Sequence, residues 1–187
     1  MISKLELQNW INEYLQGTEY ELITLNVSEG NDILIEVDRL AGVDVDFCAE
    51  LNHYLVEKLE AYLQQCSTDG HRQSDRAELF TREGKRDLDY SLEVGSVSLT
   101  DPFKTKMQYE KNLGHDVMVC PGEAGKTPDG KGNKILRGQL VSVDEDTFSV
   151  DIEEKVAVEG KKRKETQIVT HTWRYNEPKY VKYDLKF

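Results

Sequence analysis

The pattern of apolar residues changes once along this 187-residue chain, near Gly114. Before that point, amphipathic stretches with helical spacing are interleaved with short runs that have the composition of strands. After it, short strand-like runs follow one another, separated by clusters of Gly, Asp or Lys. A single bundle or a single uniform sheet does not fit both halves. The sequence therefore predicts two small domains, residues 1–113 and 114–187.

The first domain is predicted to be a small α/β unit that ends in a linker helix. Ser3 and Glu6 have the Ser-x-x-Glu spacing of a capping box, which satisfies free amides at the start of a helix. A turn-rich segment between two strand-like runs indicates a hairpin. The predicted elements are a helix at about 4–16, strands at 20–27 and 33–37, a helix at 46–65, a strand at 90–94 and a linker helix near 103–113.

The second domain is predicted to contain only short strands. Five of them fall within about 70 residues, which is typical of a small barrel that closes its own edges. The polar segment 66–87 is predicted to be an exposed loop, and the segment 120–133 to contain a hairpin loop. The five strands are expected at 115–119, 134–143, 147–152, 166–173 and 180–187. The predicted fold class is thus α+β, with a helix-strand-strand-helix-strand unit followed by a β-barrel.

Charge divides the chain at the same place. Residues 1–113 carry 22 Asp and Glu against 11 Lys and Arg, whereas residues 114–187 carry 13 of each kind. The net charge of −11 therefore comes entirely from the first domain. Acidic surface attracts basic proteins and repels phosphate backbones, although acidity alone also keeps a small domain in solution. The asymmetry indicates that the two domains have different partners.

Composition also bears on the compartment. No run approaches the roughly 18 apolar residues of a membrane span, and the N-terminal residues lack the layout of a secretion signal. The three cysteines, Cys48, Cys66 and Cys120, are scattered and odd in number, so a disulfide framework is not expected. We therefore expect a reduced cytoplasmic protein without a membrane partner.

One motif that suggests chemistry is incomplete. Residues 122–127 (GEAGKT) are similar to the end of a phosphate-binding P-loop, but Cys120 stands at the first glycine position. Pro128 follows where the phosphate-binding helix would begin. The histidines and cysteines lack zinc-finger spacing, and no catalytic triad context is present. We predict no nucleotide, metal or other cofactor and no enzymatic activity; a hydrolase that uses carboxylates is the weakest alternative.

The clearest basic feature is the run Lys161, Lys162, Arg163 and Lys164, which follows Gly160. One interpretation is a solvated hairpin tip. The other is a contact with RNA phosphates, because phosphate neutralisation drives salt-sensitive binding to nucleic acid. Since the second domain is balanced in charge and the first is acidic, this cluster is not expected to hold naked RNA tightly by itself.

Residues 89–103 (DYSLEVGSVSLTDPF) resemble the signature of the RimP family of ribosome maturation factors. There, a Tyr-x-Leu-Glu-Val strand leads into a Ser-Ser-Pro-Gly-Leu-Asp-Arg-Pro-Leu turn, and one branch has Gly-Ser for Ser-Ser and ends in Pro-Phe. Val97 and Ser98 replace the usual Pro-Gly, and Asp101 stands where many members have Arg. The matching residues are Tyr90, Leu92, Glu93, Val94, Ser96, Leu99, Pro102 and Phe103, followed by Gly114 and Gly138 in the predicted barrel strands.

This resemblance implies a fold and a role. The fold is an N-terminal α/β domain joined to a C-terminal Sm-like or SH3-like barrel. The role is that of a late-acting, non-enzymatic factor that binds the immature small ribosomal subunit through a basic small-subunit ribosomal protein, with ribosomal RNA as a further contact. A monomer without cofactors is expected. The alternative is a direct RNA-binding module in which the barrel makes the contact.

Overall fold

The computed structural model describes residues 3–68, 90–122, 135–156 and 165–185, and the chain divides into two compact units, residues 1–97 and 98–187. The first unit contains α1 (Lys4–Leu15), β1 (Glu21–Val27), β2 (Asp32–Asp38), α2 (Val45–Thr68) and β3 (Ser91–Ser96). The second contains α3 (Lys106–Lys111), β4 (Asp116–Cys120), β5 (Leu136–Val143), β6 (Thr147–Val156), β7 (Glu165–Arg174) and β8 (Tyr180–Tyr183). The predicted α+β class is confirmed.

Helix α1 begins and ends where local chemistry dictates. The Ser3 hydroxyl accepts a hydrogen bond from the Glu6 amide at 3.5 Å, which caps the first turn. Two residues after the helix, Gly17 has a φ of +80°, a conformation that glycine adopts without steric cost. Leu7, Ile11 and Leu15 recur at helical spacing and are buried. They place one face of α1 against the sheet.

The sheet of the first unit has the order β1-β2-β3. β1 and β2 form the predicted antiparallel hairpin, whereas β3 pairs with β2 in parallel, with Ile33 opposite Leu92. A parallel neighbour requires a crossover, and α2 lies on that connection. Buried residues alternate along β2, so one face of the sheet packs against the helices. The core of this unit is formed by Leu7, Ile11, Leu15, Tyr20, Ile33, Ile35, Val37, Leu51, Leu55 and Leu59.

The second unit contains one five-stranded antiparallel sheet with the order β7-β6-β5-β4-β8. Its core residues come from β4, β5, β6, β8 and α3, and Phe148 is its largest fully buried side chain. Among the described residues, no strand pairing joins β7 to β8, so the ladder is open between these end strands. The predicted closed barrel is therefore not seen in the described part of this unit.

The linker helix belongs with the second unit. Tyr109 of α3 is buried in the second core, where its ring meets Phe103, Phe148 and Tyr175. The contacts therefore group residues 98–113 with the strands that follow, whereas the sequence analysis placed them with the first domain. These contacts do not test which segments fold independently, so the boundary between residues 113 and 114 stays a prediction.

Helix α2 continues to Thr68, so the segment predicted as an exposed loop from residue 66 begins as helix. The remainder of that segment, like most of 120–133, lies outside the described residues. Within the described ranges, no helix combines the length and the apolar character needed to cross a membrane.

Candidate protein-binding surface

Strand β3 carries the first half of the signature and presents it in two directions. Tyr90, Leu92 and Val94 pack, partly buried, against the core of the first unit. Glu93 alternates with them and is exposed on the opposite face of the sheet. The apolar signature residues of this strand therefore hold β3 in place, while Glu93 is available to a partner.

The second half of the signature forms a turn that begins at Ser98. The Asp101 amide donates to the Ser98 carbonyl at 3.1 Å, and the Thr100 amide donates to the Ser98 hydroxyl at 3.3 Å. A serine hydroxyl that accepts from an amide two residues later stabilises a turn without the Pro-Gly pair. Leu99 lies in this turn and is 66% exposed, which is high for a leucine.

The end of the signature is anchored in the second unit. The Phe103 amide donates to the Val181 carbonyl at 2.8 Å, and the Phe103 ring packs edge-on against Tyr109. Burial raises the pKa of the Tyr109 hydroxyl to about 12, with a further contribution from the charge of Tyr175. Phe103 therefore serves packing rather than contact with a partner.

The two signature glycines meet steric requirements of the backbone. Gly114 follows α3 with a φ of +82°, and its amide donates to the Leu140 carbonyl at 2.7 Å. Gly138 on β5 lies so close to β6 that an added Cβ would stand 2.1 Å from the Asp151 carbonyl oxygen. Only glycine allows this approach of two strands.

The face of the first sheet that points away from the helices is acidic. Asp32, Glu36 and Glu93 lie on it, on the same side as Leu34. Asp32 ties β3 to the hairpin, because its carboxylate accepts from the Ser91 hydroxyl and from the Ser28 hydroxyl, each at 2.9 Å. These hydrogen bonds lower the pKa of Asp32, and the bond from Ser91 has the larger effect.

Replacing Asp32 with asparagine should lower the melting temperature at neutral pH. In acid, the melting temperatures of the variant and the parent chain should be equal. A lowered native pKa means that ionised Asp32 stabilises the fold above its unfolded pKa, roughly 3.9. The contribution is lost as the pH falls through the folded pKa. Thermal unfolding of D32N and the parent chain between neutral and strongly acidic pH would test this. E93Q removes a charge from the same face and is the control; a D32N deficit that persisted in acid would contradict the assignment.

Negative charge dominates the whole first unit. Its described residues include 14 Asp and Glu but only three Lys and Arg. Two of the three cations are already engaged, since Lys58 forms an ion pair with Glu13 at 3.3 Å and Arg39 lies over the Tyr20 ring. The surface therefore has a strong uncompensated negative charge, which favours a basic partner.

The second unit has a different character. Arg137 forms an ion pair at 2.6 Å with Asp184, whose carboxylate is buried, so one of its cations is also engaged. Tyr175 packs on Phe148 and donates to the Asp144 carbonyl. In the described ranges, no group of three His, Cys, Asp or Glu side chains could hold a metal ion. The candidate contact residues Lys161, Lys162, Arg163 and Lys164 lie outside the described residues.

Comparison with known proteins gives a consistent picture. No family model matches the chain. Two relatives named ribosome maturation factor RimP, from two strains of Porphyromonas gingivalis, are 27% and 26% identical over 172 residues. Each alignment covers 91% of this chain and 91% of the relative. The resemblance to the RimP family is confirmed.

The RimP signature residues thus fall into three groups in this structure. Tyr90, Leu92, Val94 and Phe103 pack, and Gly114 and Gly138 shape the backbone. The signature residues with exposed side chains are Glu93, Ser96, Leu99 and Pro102. Sequence reasoning missed the role of Asp32, because its bonds to Ser91 depend on the parallel neighbour of β2.

Proposed function

We propose that this chain is a non-enzymatic ribosome maturation factor that assists assembly of the small ribosomal subunit in the cytoplasm. The observation that carries this proposal is the alignment of 91% of the chain with relatives named RimP. Their name describes a maturation factor and no catalytic activity. The small subunit as the target follows from the signature resemblance of residues 89–103 rather than from the printed name.

The immediate partner in this proposal is a basic small-subunit ribosomal protein. Ribosomal proteins are strongly basic, and the first unit carries nearly all the uncompensated negative charge. Opposite charges on two surfaces steer association and raise its rate. On the first unit, the exposed signature residues Glu93 and Ser96 are the proposed contacts. The chain acts as a monomer in this proposal and needs no cofactor.

The second unit is proposed to be an Sm-like or SH3-like barrel that folds as domain 114–187, preceded by the acidic domain 1–113. Five antiparallel strands in one sheet support this. So does the close approach of β5 to β6 at Gly138, since a glycine without room for a Cβ is typical of a tight bend at a barrel corner. Immature ribosomal RNA is the further contact, through Lys161 to Lys164.

The alternative is direct RNA binding by the barrel, favoured by that run of four cations and by the balanced charge of residues 114–187. Changing Lys161, Lys162, Arg163 and Lys164 together to glutamine in the full chain would separate the two functions. Under the alternative, association with small subunits is lost. Under the main proposal, it is weakened, because the acidic unit still holds the ribosomal protein.

Sedimentation of a tagged chain in cell extract tests the proposal. We expect enrichment with free small subunits and absence from translating ribosomes. Raising the salt concentration should release the chain, because screening weakens attraction between exposed charges. A chain that stays at the top of the gradient at low salt would contradict a ribosomal role. Salt-insensitive binding to the isolated ribosomal protein would contradict the electrostatic part alone.

A further inference from the structure

A groove runs between α1 and β1 in the first unit. β1 is the end strand of its sheet and pairs only with β2 among the described residues. α1 packs against β1. The groove has a volume of about 750 Å³ and is widely open to solvent. Its lining comes from one face of α1, from Tyr20, and from Glu21 and Leu22, the first two residues of β1.

The two walls of the groove offer complementary hydrogen bonds. An end strand presents a row of backbone amides and carbonyls to any extended chain laid beside it. The opposite wall, on α1, presents four side-chain amides, those of Gln8, Asn9, Asn12 and Gln16, each able to donate and to accept. An end strand beside a helix is also the arrangement by which several domains bind peptides through strand addition.

The charge of the groove favours some classes of binding partner over others. The described lining includes no lysine or arginine and two carboxylates, of which Glu13 is ion-paired with Lys58 at 3.3 Å and Glu21 is exposed. A nucleic-acid strand would be repelled by Glu21 and by the net negative charge of the first unit. A second copy of this chain, paired strand to strand through β1, would bring two acidic units together. An extended segment rich in arginine or lysine meets neither obstacle.

We propose that the groove between α1 and β1 binds an extended basic segment of a partner protein by strand addition to β1. This inference rests on the proposed function, and it specifies where a basic ribosomal protein would be held and in what conformation. The backbone of the segment pairs with β1, its polar groups meet the side-chain amides of α1, and its cations approach Glu21. Leu22, which is partly exposed, contacts its aliphatic stems.

The probe for this site is a fluorescein-labelled peptide of about ten residues, the length of a long strand, that alternates valine and arginine. We expect it to bind the full chain, as measured by anisotropy. A peptide that alternates valine and glutamate should not bind. Hydrogen exchange should show slower exchange of β1 amides when the basic peptide is bound, because they gain hydrogen-bond partners.

Two matched variants locate the binding. Asn12→Arg places a cation in the groove, and Ala61→Arg adds the same charge at an exposed position of α2. Arginine has a high helix propensity, so both proteins should fold. We expect Asn12→Arg to raise the Kd of the peptide about tenfold, and Ala61→Arg to change it far less.

Several outcomes would overturn the inference. These are absence of binding, equal weakening by both variants, and binding without protection of β1. A dimer in the absence of peptide that Asn12→Arg disrupts would identify a second copy as the occupant instead. Because the peptide assay contains no ribosomes, its failure is separate from failure of the proposed function, which cosedimentation with small subunits reports.

Discussion

Replacing Gly138 with alanine should destabilise the second unit by about 3 kcal/mol or more, a large fraction of the stability of a small domain. The added Cβ would meet the Asp151 carbonyl oxygen at 2.1 Å and the Asp151 carbonyl carbon at 2.9 Å. These are backbone atoms of a paired strand, so no flexible side chain can move aside. Relief requires β5 and β6 to separate and to lose hydrogen bonds on both sides of the contact.

Gly95→Ala is the control for this experiment. Gly95 also lies in a strand, but a Cβ added there meets nothing within 4 Å. Each unit has its own tryptophan, with Trp10 against the first core and Trp173 against the second. Denaturant unfolding of G138A in a Trp10→Phe background, followed by Trp173 fluorescence, reports the second unit. Unfolding of G95A in a Trp173→Phe background, followed by Trp10 fluorescence, reports the first unit. An effect of G138A no larger than that of G95A would contradict the close approach.

Replacing Phe148 with alanine should cost about 3–5 kcal/mol, the usual range for removing a fully buried aromatic ring. Phe148 has no exposed surface, and its ring lies 4.9 Å from the Tyr109 ring, 5.7 Å from Trp173 and 5.8 Å from Tyr175. Three other aromatic rings would therefore border the cavity. Since these rings come from α3, β7 and the turn after β7, the movement of one element cannot fill the cavity.

Phe148→Leu is the matched variant, because leucine retains much of the apolar volume. We expect a clearly smaller loss, measured by the same fluorescence of Trp173. The first unit, followed through Trp10 in a Trp173→Phe background, should unfold at its parental denaturant concentration. A loss below 1 kcal/mol for F148A would mean that the aromatic cluster is not the centre of the second core.

Much of the secondary structure could be predicted because it is encoded locally. The Ser3 cap and the helical spacing of the apolar residues after it are sufficient to predict α1; these residues are Leu7, Trp10, Ile11 and Tyr14. The turn formers between residues 28 and 32 are sufficient to predict the hairpin. The place of Tyr109 in the second core could not be predicted, because one buried face of a six-residue helix has no periodicity that identifies its partner.

The negative charge of the candidate surface could be predicted from the sequence, but its geometry could not. Counting charges locates the acidity in the first domain. The groove depends on β1 being an end strand, and that depends on β3 joining the other side of β2. The pairing of two strands more than 50 residues apart leaves no local pattern. The same reason hides the function of Gly138, which is set by a neighbouring strand.

The parallel pairing of β3 with β2 has a consequence for the order in which the chain is made. Ile33 pairs with Leu92, so the first unit cannot complete its sheet until more than 90 residues have been synthesised. Closing such a long loop is entropically costly and slows folding relative to local hairpins and helices. During synthesis, α1, the hairpin and α2 therefore wait with one edge of β2 unpaired. The strand that completes the first unit emerges immediately before the second unit begins.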